Sequence, residues 1–134
     1  GDALNATGSA ILYSMCSWGS GLPWKGWGRA AGGNTWRTDA DITPTWGAIL
    51  RSADSTVGLS QYSGPGGWAD PDMLEVGNGD LTLAQQRSHF AVWSIVKAPL
   101  LLGADLRTLP KDSLDILSAP ELLSIHQDPL GVAG

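Results

Sequence analysis

The sequence predicts an α/β fold built on a parallel sheet with covering helices, and three observations carry that prediction. Short apolar runs that do not alternate with polar residues recur along the 134 positions, as in strands buried on both faces. A loop and then a segment with helical signals follows each run. Polar and unusual residues cluster just after the runs: Ser17-Trp18, Arg37 with Asp39 and Asp41, Asp72-Met73, and Asp105. In a parallel α/β fold the C-terminal strand ends share one face, and that face carries the site.

The elements follow in order. "GDALNATG" reads as the end of a helix closed by Gly8. "AILYSMC" (10–16) is the first strand, and a Gly/Trp-rich loop (17–33) leads to the second, "NTWRT" (34–38). Asp39 or Asp41 then caps a helix running to about Ala53. Pro44 is tolerated in its first turn, and Trp46, Ile49, Leu50 and Ala53 share one stripe. A second Gly-rich loop (54–71) precedes the third strand, "DMLEV" (72–76). Thr82 and Gln85 form a capping box. It opens a helix to about Lys97 with Leu83, Phe90, Val92, Trp93, Ile95 and Val96 on a wide buried face, and Pro99 stops it. "LLLGADL" (100–106) is the fourth strand, with helical turns at 110–117 and 119–125. Residues 1–126 thus form one unit, and the turn-rich 127–134 reads as the start of a domain junction. A doubly wound nucleotide fold needs a G-x-G-x-x-G or G-x-x-x-x-G-K-[ST] loop, and neither follows a strand here. Four strand–helix units make half of a (β/α)8 barrel, which takes about 250 residues.

Composition narrows the function classes. The chain is 43% hydrophobic and 16% charged, enough apolar content to bury a core. Net charge is −5 with no basic run, which argues against a nucleic-acid partner. No apolar stretch approaches the 18 or more residues of a membrane span, and no basic-then-apolar leader opens the chain. Cys16 is the only cysteine, so no internal disulfide forms. Asn5-Ala6-Thr7 matches a glycosylation sequon too short to carry a claim. Seven tryptophans are the unusual entry; Trp18, Trp24, Trp27 and Trp36 crowd the first loop and second strand. Such indoles either pack beneath a long loop or line a pocket.

Aspartates on a rim with arginine and tryptophan point to sugar recognition. Carboxylates accept hydrogen bonds from paired hydroxyls, and indoles cover the apolar face of a pyranose. Glycoside cleavage needs two carboxyl groups across the scissile bond. Asp41, beside Arg37, is the better proton-donor candidate, although on pattern alone a helix N-cap is the plainer reading of it. Asp70 and Asp72 flank Pro71 as sugar ligands on the cleft rim or as an Asx-type turn. Neither "DADI" nor "DPD" has the spacing of a calcium loop, so no metal and no cofactor is expected. His89 and His126 lack metal-ligand spacing and read as structural or solvent-facing. Cys16 reads as a buried thiol rather than a nucleophile. Lys97 and Glu75 look like ordinary charges at element ends.

Six segments, in order, resemble glycoside hydrolase family 27, the melibiases: "ALNATG", "YSMCSWG", "NTWRTDADI", "GPGGWADPDMLEVGNG", "HFAVWSIVKAPLLLGADLR" and "IHQDPLGVAG". The resemblance implies a (β/α)8 TIM barrel of which this chain is about the fifth to eighth strand–helix units, with a C-terminal β-sandwich beyond "QDPLGVAG". It implies a retaining α-galactosidase acting on terminal α-linked galactose, of secreted or lysosomal type, with the rest of its own barrel as partner. By that likeness Asp41 is the acid/base and Arg37 binds the sugar. Cys16 and Trp18, with Ser17 between them, line the galactose site; Asp72 and Met73 hold the sugar, and Asp70-Pro71 shape the turn. The family's K-Y-D-like nucleophile motif does not occur in these residues, so the segment alone is expected to be inactive. Ser17 stands where α-galactosidases often have Glu, which resembles the family's α-N-acetylgalactosaminidases; β-L-arabinopyranosidase is a further alternative. Ala69 replaces the usual Asn, with a minor effect expected. A reading from another class is a non-catalytic, sugar-binding half-barrel. Exposed edges on either side of such a half would favour aggregation.

Overall fold

A computed structural model describes residues 1–134. Three parallel strands, β1 (Ser14–Met15), β2 (Thr35–Arg37) and β3 (Trp68–Asp70), lie side by side in chain order. Ser14 stands opposite Thr35, and Thr35 opposite Trp68; Arg37 pairs with Asp70 at the C-terminal end. Successive side chains alternate between faces. Met15, Trp36 and Ala69 therefore turn to one side, where they bury with Leu59 under Tyr13, Trp24 and Tyr62. Ser14, Thr35, Trp68 and Asp70 turn to the other and line a hollow of about 430 Å³, bounded also by Lys97, Leu101 and His126.

The helices are α1 (Asp2–Asn5), α2 (Trp27–Ala30), α3 (Trp46–Asp54), α4 (Leu83–Ile95), α5 (Lys111–Leu117) and α6 (Pro120–His126). Helix α4 packs against α3, α5 and α6. Its Phe90 and Trp93 close the main core with Ile49, Leu74, Val76 and Ile116. The capping box is present: the Gln85 N–H donates to Thr82 Oγ1, and the Thr82 N–H donates to Gln85 Oε1 (2.9 Å). No helix is long and apolar enough to cross a membrane.

Several expectations are corrected. Only Ser14 and Met15 of the first apolar run pair, leaving Ile11 and Leu12 exposed. The third strand begins four residues before its predicted start, at Trp68. Pro71 has no N–H, and Asp72 adopts φ +87°, so the ladder breaks after Asp70. Pairing resumes only at a parallel bridge between Leu74 and Leu102, which is all that forms of the fourth strand. Leu101 and Leu102 remain exposed. The cap of α3 is Thr45, whose side chain accepts from the Ala48 N–H, and not Asp39 or Asp41. Pro44 consequently precedes the helix. The first Gly-rich loop contains a 3₁₀ turn (Pro23–Lys25) and α2, and the second contains a 3₁₀ turn at Ser60–Tyr62.

Helix α4 ends at Ile95, and its buried face is partly polar: Gln86, His89 and Ser94 are inside while Ile95 is exposed. Lys97 is no ordinary helix-end charge. It is buried at φ +55°, and its ammonium donates to the Ile125 and His126 carbonyls (2.7 and 3.1 Å) at the C-terminus of α6. There a cation also meets the negative end of the helix dipole. Glu75 is buried too, accepting from Asn78 Nδ2.

Replacing Thr82 by Ala removes the acceptor for Gln85 N–H. We expect a loss of about 1 kcal/mol in chemical denaturation, mostly restored by Thr82→Ser.

Candidate active site

The last residue of β2 organises the polar face. The Arg37 Nη2 reaches Asp72 Oδ2 at 2.6 Å, Asp41 Oδ1 at 3.2 Å and the Asp39 carbonyl at 3.3 Å. Its Nη1 lies 3.8 Å from Cys16 Sγ, while Nε is buried without a partner. Arg37 and Asp72 form a pair with about nine-tenths of both side chains buried. Such a pair is tolerated only where further hydrogen bonds satisfy the charges. Asp72 Oδ2 accepts from Ile42 N–H (2.7 Å) and Oδ1 from Met73 N–H (2.8 Å). The Asp72 N–H donates to Asp70 Oδ1 (2.9 Å), and the Asp72 carbonyl accepts from Trp93 Nε1 (2.7 Å).

Asp41 is different. Its side chain is 71% exposed, with Arg37 its only side-chain partner. Arg51 of α3 steadies the segment, donating from Nε to Asp39 Oδ2 (2.8 Å) and from Nη2 to the Asp41 carbonyl (3.4 Å). Burial would raise the Asp39 pKa, but the Ala40 N–H, Arg51 and Arg37 together hold it below the usual carboxylate value. Asp39 and Asp72 are thus committed to arginines within the fold, and Asp41 presents an exposed carboxylate whose one side-chain partner is the Arg37 guanidinium.

Both aspartates around Pro71 are buried, not placed on an open rim. Partners explain Asp72. Asp70 makes the Asx-type contact that was one of its two readings, and burial raises its pKa against the opposing Asp72 N–H and Arg37. Cys16 is exposed, contrary to the buried thiol expected, because β1 ends one residue earlier at an open sheet edge. Trp18 is also exposed, at φ +51°; the neighbouring Gly19 N–H donates to the Arg37 carbonyl (2.9 Å). Met73 is exposed beside Asp72. Ser17 Oγ is buried with no partner.

The tryptophans divide between their two readings. Trp36 is fully buried with Arg29 over its ring (5.5 Å), whereas Trp27 is exposed and tied to the Gly21 carbonyl (2.7 Å). No group of three or more His, Cys, Asp or Glu side chains is placed to hold a metal ion.

Two contributors were missed in the sequence, Arg51 and Trp93. Helical periodicity marks Trp93 only as core. The usable signal was its indole N–H, which needs an acceptor once buried.

The sequence profile of the alpha galactosidase A family matches residues 1–128. The chain belongs to this family, the melibiases of glycoside hydrolase family 27. Alpha-galactosidase 3 of Arabidopsis thaliana is 50% identical over 133 residues, covering 99% of this chain and 30% of that relative. The alpha-galactosidase of Cyamopsis tetragonoloba is 46% identical, covering all of this chain and 32% of its own. Among solved structures, an alpha-galactosidase of Saccharomyces cerevisiae superposes with a TM-score of 0.91 at 34% identity, covering 98% of this chain and 34% of that one. A β-L-arabinopyranosidase of Geobacillus stearothermophilus, at 23% identity and a TM-score of 0.81 over 94% of this chain and 32% of its own, shares the fold alone. The chain therefore spans about a third of the length of these relatives. Its parallel α/β arrangement matches part of the family's (β/α)8 barrel.

His89 sits behind this site. It is fully buried, its Nε2 accepts the Glu75 N–H (3.0 Å), and its ring meets Trp93 edge-on at 4.1 Å. Burial lowers its pKa from 6.5 to about 4. Protonation would also cost the bond from Glu75. The unfolded chain therefore binds this proton at higher pH than the folded one, and stability falls as pH drops from 6.5 towards 4. The loss is on the order of 3 kcal/mol. Unfolding midpoints measured across that window should slope in the native protein and flatten by this amount in His89→Gln; equal slopes would refute the assignment.

Proposed function

We propose that the chain belongs to a retaining glycoside hydrolase that removes terminal α-linked galactose, and that it carries the acid/base side of the site. The observation that carries this reading is the division of labour around Arg37. One carboxylate, Asp72, is buried and doubly tied, and another, Asp41, is held beside the same guanidinium with its carboxyl open to a ligand.

In this reading Asp41 protonates the glycosidic oxygen as the bond breaks, then takes a proton from the water that releases the sugar. Arg37 and Asp72 bind hydroxyls, Trp18 covers the apolar sugar face, and Cys16, Ser17 and Met73 complete the wall. The nucleophilic carboxylate comes from elsewhere in the complete barrel, since the other carboxylates around Arg37 are engaged. Residues 1–126 then supply about the fifth to eighth strand–helix units, and 127–134 lead towards a β-sandwich. Exposed Ile11, Leu12, Leu101 and Leu102 support a continuation of the sheet on both sides. A secreted or lysosomal-type location goes with this reading through the family likeness.

Ser17 favours a second substrate. A small residue at this place in the C-S-W segment resembles the family's α-N-acetylgalactosaminidases, where a 2-acetamido group needs room. Comparing nitrophenyl α-galactoside with its 2-acetamido analogue on the full-length protein separates the two; faster turnover of the acetamido sugar would replace galactose as the substrate.

Asp41→Asn in the full-length protein should lower kcat by about 10²–10⁴-fold while galactose affinity stays within threefold. Unimpaired turnover would remove Asp41 from the acid/base role.

A further inference from the structure

Asp72 is an aspartate at φ +87°, a region that side chains other than glycine's occupy only at a cost. Something must hold it there. The peptide unit joining Asp72 to Met73 shows what does. Its carbonyl accepts from Trp93 Nε1 at 2.7 Å, and its N–H donates to Asp72 Oδ1 at 2.8 Å. One rigid plane therefore receives the indole on one edge and grips the Asp72 carboxylate on the other. The remaining carboxylate oxygen is thereby turned onto Arg37 Nη2 (2.6 Å) and Ile42 N–H.

Trp93 is fully buried in α4, and its ring is itself fixed by the edge-on His89. We propose that Trp93 is a positioning residue: through the 72–73 peptide its indole N–H sets the rotation of the Asp72 carboxylate, and hence the affinity of the site for galactose. The inference rests on the galactoside reading above, but the geometric part stands apart from it. Trp93 touches no substrate.

The test is Trp93→Phe in the full-length protein, which keeps a buried ring and deletes the donor. KM for an α-galactoside and Ki for galactose should rise together by about tenfold, with kcat within threefold. A variant that merely unfolds more easily loses active enzyme and apparent kcat, not KM. Phe90→Leu, in the same helix and core, provides that control and should leave KM unchanged. Should Trp93→Phe fail to fold, benzothienylalanine at position 93, an isostere lacking only the N–H, takes its place. Unchanged KM and Ki would overturn the proposal while leaving the galactosidase reading standing. A wild-type protein inactive on galactosides would overturn that reading instead. A crystal structure of the variant then decides the positioning role: a rotated 72–73 peptide and a broken Arg37–Asp72 contact support it, and an unmoved pair refutes it.

Discussion

Arg37 and Asp72 sit at the ends of neighbouring segments, and their ion pair is nine-tenths buried on both sides. Removing either partner would leave a charge in the protein interior, which typically costs several kcal/mol. The other features of the site answer to that constraint. Ile42 N–H, Met73 N–H and the Asp39 carbonyl are all turned towards the pair. Asp41 reaches the same guanidinium from the solvent side, and Arg51 tethers its backbone to α3. Surface ion pairs such as Arg107–Asp105 and Lys111–Asp115 contribute little by comparison.

The pair also explains the shape of the third strand. A continuous ladder through residues 68–76 would send Asp72 along the usual alternation. Instead Pro71 interrupts the hydrogen bonding and Asp72 takes a left-handed conformation. Strain of this kind persists only where the surroundings over-determine it. Here Asp70, Trp93, Met73 and Ile42 supply the restraints, Trp93 from the core helix α4. The cost is borne by the sheet, which is short and irregular exactly where the site is built.

The molecule has one well-packed side and one open side. Met15, Trp36 and Ala69 pack on one face of the sheet with Leu59. The opposite face of the sheet lines a hollow with Ser14, Thr35 and Asp70, and Thr35 Oγ1 is buried there without a partner. Isolated apolar residues are ordinary on a surface, but exposed Ile11 and Leu12 lead into β1, and exposed Leu101 and Leu102 lie at the bridge to Leu74.

The sequence alone determined the parallel α/β class, the capping box at Thr82 and the helices after residue 110. Each depends on neighbours along the chain: uninterrupted apolar runs, a Thr–Gln pair three apart, and breaks at proline. It also marked Arg37, Asp41 and Asp72 through their place in family segments. The tertiary structure decided the rest. Thr45 displaced Asp39 and Asp41 as the cap of α3, because the helix starts where Pro44 leaves the chain extended. Burial of Asp70 and Asp72, exposure of Cys16 and the turning of Lys97 onto α6 all depend on which surfaces meet. Trp93 is the clearest case. Its position on a core stripe is written in a helical period, but its N–H bond to Asp72 joins residues 21 positions apart, a pairing that only packing selects.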